Sequence, residues 1–199
     1  MLTKEQIKQY LEDGFVIPDF KMSESDLLEI EDKHHQLINK FPEFKNYCPA
    51  VLLKDEGFLK YCLNDKILDF VEQLLGRKFA LWNSSFFAKP ANNGFETPWH
   101  QDGQYWPINP LATCTVWLAI DDATEENGCL RFIKGSHKDK KLKDHYRNDK
   151  KNLTLHQQLK KNEYDISKSV NLLLKRGQVS LHDVYMVHGS KENKSPNSR

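Results

Sequence analysis

The chain has 199 residues, with 29 Lys and Arg against 28 Asp and Glu, for a net charge of +1. That balance excludes a globally basic nucleic-acid binder, and no apolar run approaches the roughly 18 residues a membrane span requires. Despite a mean hydropathy of −0.69, 4 Trp, 7 Tyr and 11 Phe supply a core for a single domain of ordinary size.

The N-terminus carries frequent charges and no apolar stretch, so no secretory signal is expected. Cys48, Cys62, Cys114 and Cys129 form no Cys-x-x-Cys pair, which fits free thiols in a reducing, cytoplasmic setting. Charge is unevenly spread. Residues 1–133 hold 13 basic and 21 acidic side chains, while 134–161 hold 10 and 3. The second segment, net +7, is either a solvated loop or a surface that steers an anionic substrate.

The first third, about 1–78, reads as helical. Thr3 with Gln6 forms a capping box ahead of Ile7, Tyr10 and Leu11, and Asp13-Gly14 ends that helix. Phe15-Val16-Ile17 before Pro18 suggests a short strand. Ser23 with Asp26 opens a second helix with a stripe from Leu27 to Phe41. A third helix, 66–75, ends at Gly76. From 79 onward the pattern becomes strand-like: 79–89, 114–120, 129–133, 170–174, 179–181 and 185–188, with a turn at Asn127-Gly128. Helices followed by short strands predict an α+β fold whose β part forms a sandwich or jelly-roll barrel.

Chemistry concentrates in Thr97-Pro98-Trp99-His100-Gln101-Asp102-Gly103. On an extended backbone His100 and Asp102 share one face and Gln101 points the other way. An imidazole and a carboxylate side by side offer two ligands for a divalent cation. A third ligand from elsewhere would complete a two-His, one-carboxylate set, which favours Fe(II) and leaves open positions. His182 and His188 both lie in a later strand-like run, and their even spacing does not choose between them. His188 has Gly189-Ser190 after it and Arg199 eleven residues beyond.

These features resemble the phytanoyl-CoA dioxygenase (PhyH-like) family of Fe(II)/2-oxoglutarate oxygenases. The His-x-Asp pair, the His-x-Ser context with its following Arg, the block from Thr115 to His137 and the opening LTKEQIKQYLEDGFVI carry the resemblance across nearly the whole chain. It implies one domain over 1–199, a double-stranded β-helix (jelly-roll, cupin-like) with N-terminal helices packed on it. It implies His100, Asp102 and His188 as catalytic iron ligands. Arg199 and Ser190 would hold the distal carboxylate of 2-oxoglutarate, and Trp117, beside Thr115 on one strand face, would line that pocket. The implied reaction is O2-dependent hydroxylation of a small molecule with release of succinate and CO2. Asp102 argues against halogenation, since halogenating relatives lack the carboxylate.

The family continues beyond the arginine through a closing strand, so the sequence reads as C-terminally incomplete and Arg199 is expected to lack support. Aromatic residues Phe87, Trp99, Tyr105 and Trp106 are expected near the iron. The competing reading is a catalytically inactive jelly-roll protein that binds a metal or small molecule. Oligomeric state is not legible.

Overall fold

The computed structural model describes residues 1–199. Its first helix, α1 (Lys4–Asp13), begins at the expected capping box: the Gln6 amide donates to Thr3 Oγ1 and the Thr3 amide to Gln6 Oε1. Gly14 ends it at a φ of 89°, a left-handed conformation that glycine adopts without a Cβ penalty. Helix α2 (Glu24–Lys40) is capped by Ser23, and α4 (Asp65–Leu75) by Asn64, after the single turn α3 (Leu59–Cys62). Leu27, Ile30 and Leu37 of α2 are buried, as its predicted stripe requires, and α4 buries Ile67, Phe70 and Val71.

Two antiparallel sheets follow. The first has the order β1 (Phe15–Val16), β10 (Val179–Asp183), β5 (Cys114–Leu118). The second runs β4 (Thr97–His100), β11 (His188–Ser190), β6 (Leu130–Ile133), β9 (Ser169–Leu172). Two short ribbons complete the set: β2 (Tyr47–Cys48) with β3 (Phe86–Phe87), and β7 (His145–Arg147) with β8 (Gln157–Leu159). The chain is therefore mixed helix and sheet, with two separately hydrogen-bonded sheets.

Alternation along β5 and β10 separates two environments. Val179, Leu181, Val116 and Leu118 pack with the helices in the larger core. Trp117 instead joins Phe15, Phe132, Leu130 and Met186 in a second core. Thr115 and His182 share the face of Trp117, so one side of this sheet is apolar and the other carries polar groups.

Two strand expectations are corrected. Within 79–89 only Phe86–Phe87 is a strand; Leu81 and Trp82 are exposed and the segment before them finds no ladder partner. The run 185–188 is interrupted by a turn. Asp183 Oδ1 accepts from the Tyr185 amide and Asp183 O from the Met186 amide, both at 2.9 Å. This side-chain capture of a nearby amide favours a turn over a ladder. It transfers the chain from the first sheet to the second, so His182 and His188 sit in different sheets.

Candidate metal and cosubstrate site

Sheet register assembles the site. His188 is the Cα partner of His100 across β11 and β4, and their ring centroids lie 4.1 Å apart. Gln101 remains extended, at φ −119° and ψ 134°, so the alternation of β4 carries through to Asp102, which opens a 3-10 turn. His100, Asp102 and His188 each offer a ligand atom, and all three lie within 4.8 Å of one another. His100 Nε2 is 3.4 Å and His188 Nε2 3.6 Å from Asp102 Oδ1.

The protonation pattern fits a cation. His100 Nδ1 is 2.8 Å from Pro98 O and His188 Nδ1 is 2.9 Å from Met186 O. A carbonyl only accepts, so both Nδ1 atoms donate and a neutral ring turns a bare Nε2 lone pair toward Asp102. Burial, reinforced by His100, pulls His188 down to about 3, which keeps it neutral. Burial alone would raise the Asp102 carboxyl, but His188, His100 and His182 together hold it well below its ordinary range. Two imidazole nitrogens and a carboxylate oxygen thus converge on one point. That donor set suits a divalent metal, and two imidazoles with one carboxylate suit non-heme iron.

His182 contacts the same carboxylate differently. Its Nε2 lies 3.2 Å from Asp102 Oδ2, which also accepts from Thr115 Oγ1 at 2.6 Å. It stands outside the three-residue ligand group.

Two residues beyond His188, Ser190 Oγ lies 3.3 Å from an Arg199 terminal nitrogen. The Arg199 guanidinium also donates to Gly128 O at 2.9 Å and Phe87 O at 3.3 Å, and lies over the Trp117 ring at 5.2 Å. The expectation that Arg199 lacks support is corrected. Its backbone exchanges two hydrogen bonds with Lys89, at 2.6 and 3.1 Å, and Asn193 ties the preceding turn to Lys89 O, Pro90 O and Asn197 O. Arg199 is buried and in no ion pair, and burial pulls it down to about 10. A buried cation bonded only to neutral acceptors is arranged to receive an anion.

Of the expected pocket aromatics, Tyr105 meets the His100 ring edge-on at 5.8 Å. The Phe87 ring lies tilted against Tyr47, 4.5 Å between centroids. Trp99 alternates to the far face of its strand and packs against Tyr164 and Arg131, away from the site. The lysine-rich segment is more compensated than its sequence suggests. Lys134, Lys140, Lys143, Lys150 and Lys160 pair with Asp13, Asp183, Asp139, Glu96 and Asp144. Sequence reasoning missed Gln101 as an anchor of this segment. Its side chain donates to Lys141 O and Tyr185 O and accepts from the Lys143 amide, while its own amide donates to His145 Nε2. It also missed Lys89, a buried lysine bonded to Phe95 O. No local motif marks either residue.

Against known protein families, residues 2–199 match the model for phytanoyl-CoA dioxygenase (PhyH). The chain belongs to the phytanoyl-CoA dioxygenase family. Among its relatives, a phytanoyl-CoA dioxygenase domain-containing protein 1 homolog from Dictyostelium discoideum is 33% identical over 144 residues, covering 71% of this chain and 51% of the relative. The peroxisomal phytanoyl-CoA dioxygenase of Homo sapiens is 26% identical over 228 residues, covering 100% and 66%. The chain thus spans half to two thirds of the length of these curated relatives. Among solved structures, the apo non-heme monooxygenase ThoJ superposes with a TM-score of 0.80 at 25% identity, covering 98% of this chain and 74% of that one. EvdO2 from Micromonospora carbonacea var. aurantiaca, complexed with 2-oxoglutarate, gives 0.79 at 19% identity, covering 100% and 88%. The likeness to these two structures covers 98% and 100% of this chain and concerns its fold of mixed helix and sheet.

Proposed function

We propose that this chain is an Fe(II)- and 2-oxoglutarate-dependent dioxygenase that hydroxylates a small molecule. The observation that carries the reading is the convergence of His100, Asp102 and His188, with Ser190 two residues beyond His188 on β11 and Arg199 reaching Ser190 and lying over Trp117 of β5. In this reading the two sheets are the walls of a double-stranded β-helix and the whole chain is one domain. His100 Nε2, His188 Nε2 and Asp102 Oδ1 hold Fe(II) on one side. Arg199 and Ser190 take the distal carboxylate of 2-oxoglutarate through charge-assisted hydrogen bonds, and Trp117 forms the wall beneath it. Bound there, iron and cosubstrate supply oxidising power: 2-oxoglutarate and O2 yield succinate and CO2 while one oxygen atom enters the substrate as hydroxyl. The residues contribute placement and shielding from water, consistent with how proteins use such cofactors.

The names of the family relatives and the 2-oxoglutarate-bound neighbour support this reading. Lys138, Lys141, Lys151 and Lys161 are exposed and outside the ion pairs described above, so an anionic substrate would be steered by these rather than by the whole basic segment. Absence of a long apolar helix is compatible with action in the cytoplasm.

Anaerobic titration with Fe(II) and 2-oxoglutarate tests the reading. A visible charge-transfer band should appear, His100→Ala should abolish it, and admitting O2 should produce succinate in an iron-dependent manner. A band without succinate would favour the inactive metal-binding alternative. A band unchanged in His100→Ala would refute the ligand assignment.

A further inference from the structure

We infer that His182 is a positioning residue which, together with Thr115, confines Asp102 to a single metal-binding oxygen. The inference rests on the iron reading above and concerns how the carboxylate is presented.

The two oxygens of Asp102 have different surroundings. Oδ1 faces Nε2 of His100 and of His188 at 3.4 and 3.6 Å. Oδ2 is turned the other way and receives the Thr115 hydroxyl at 2.6 Å and His182 Nε2 at 3.2 Å. Two donors on one oxygen occupy its lone pairs and resist rotation of the carboxylate about its last bond.

Both donors come from one cross-strand pair. Thr115 and His182 are Cα partners in the β5–β10 ladder, so their side chains leave the same face side by side. A slip of one residue would turn both away together. β10 is the central strand of its sheet, with Phe15 of β1 paired to His182 on the other side. The imidazole is 1% exposed and lies against Phe132 at 5.1 Å and His188 at 4.7 Å between centroids.

The tautomer follows from the contacts. His182 Nδ1 is buried without a hydrogen-bond partner. With the proton on Nε2, that nitrogen donates to Asp102, and the unpartnered position holds a lone pair rather than an N–H.

Holding Oδ2 away has a consequence for binding. A carboxylate bound through one oxygen uses one coordination position, whereas chelation through both uses two. The two histidines and Oδ1 leave three positions open, enough for a bidentate oxo-acid and one further small ligand. A freely rotating Asp102 would compete for one of these. The specific role assigned to His182 and Thr115 is therefore to protect cosubstrate chelation rather than to bind iron.

The test compares Fe(II) stoichiometry, 2-oxoglutarate affinity and the charge-transfer spectrum under anaerobic conditions. The variants are His182→Leu, His182→Gln, Thr115→Val and the His182→Leu/Thr115→Val double. Glutamine places an amide N–H near the Nε2 position, so His182→Gln should keep the wild-type spectrum. The double variant should still bind one Fe(II) but lose about 10-fold in 2-oxoglutarate affinity, with a weakened or displaced band, in line with typical effects of groups behind metal ligands. Thr115→Val, nearly isosteric, should give a smaller loss of the same kind, which preserves the test if His182→Leu does not fold. Wild-type affinity and spectrum in Thr115→Val and in the folded His182 variants would overturn the positioning role. Complete loss of iron in His182→Leu, with no rescue by Gln, would overturn it by making His182 a ligand. If the unmodified protein binds no Fe(II), the iron reading fails with it, a result distinct from either of these.

Discussion

At the scale of single residues, buried charge separates the functional end of the molecule from an ordinary core. Arg199 and Lys89 are adjacent, buried and without carboxylate partners in the ion pairs observed. For Arg199 the proposed cosubstrate carboxylate would supply the missing anion. Lys89 bonds Phe95 O, and burial, aided by Arg199, pulls it down to about 6 from an ordinary 10.5. Between those values an unfolded lysine still holds its proton while the folded one has released it. The unfolded chain therefore binds more protons, and stability should rise with pH through that window. Thermal unfolding followed across the window should show this rise, and Lys89→Met should flatten it. Parallel curves for the two proteins would show that Lys89 keeps its charge in the fold. That His100 and Asp102 turn the same way was legible in the sequence because His-x-Asp on an extended chain fixes their relative direction. The choice between His182 and His188 was not, because it depends on Asp183 bending the chain between them.

At the scale of elements, helices were read closely because their ends are written in local chemistry: Thr3 with Gln6, Ser23, Gly14 and Gly76. Strands were read less well because pairing depends on distant partners. Phe79–Ser85 has the composition of a strand and no ladder to join, whereas Tyr47–Cys48, inside the helical part, pairs with Phe86–Phe87. The basic segment looked like free positive charge, but three of its ten cations meet acids from elsewhere in the fold and three more meet the segment's own aspartates. Gln101 fastens this segment to the metal-binding turn. Gln101→Leu would leave the Lys141 and Tyr185 carbonyls and the Lys143 amide without their partner. A loss on the order of 3 kcal/mol or more is expected for groups left unpaired in this way. Urea unfolding should register that loss, and proteolysis between Lys138 and Lys151 should accelerate. Wild-type stability with unchanged cleavage would show that the anchor is not needed.

At the scale of the whole molecule, the site exists because two sheets face each other with different contributions. The second supplies His100 and His188 as register partners, and Asp102 just beyond β4. The first supplies Thr115 and His182, also register partners, to the far oxygen of Asp102. The sequence pattern anticipated helices followed by strands, while the separate hydrogen bonding of the two sheets and the support of Arg199 by Lys89 became visible only in three dimensions. The most direct measurement is anomalous diffraction from crystals grown anaerobically with Fe(II) and 2-oxoglutarate. One iron peak should lie at bonding distance from His100 Nε2, His188 Nε2 and Asp102 Oδ1, with the distal carboxylate of 2-oxoglutarate on Arg199 and Ser190. Iron bound elsewhere, or these three side chains bare beside fully bound 2-oxoglutarate, would contradict the assignment.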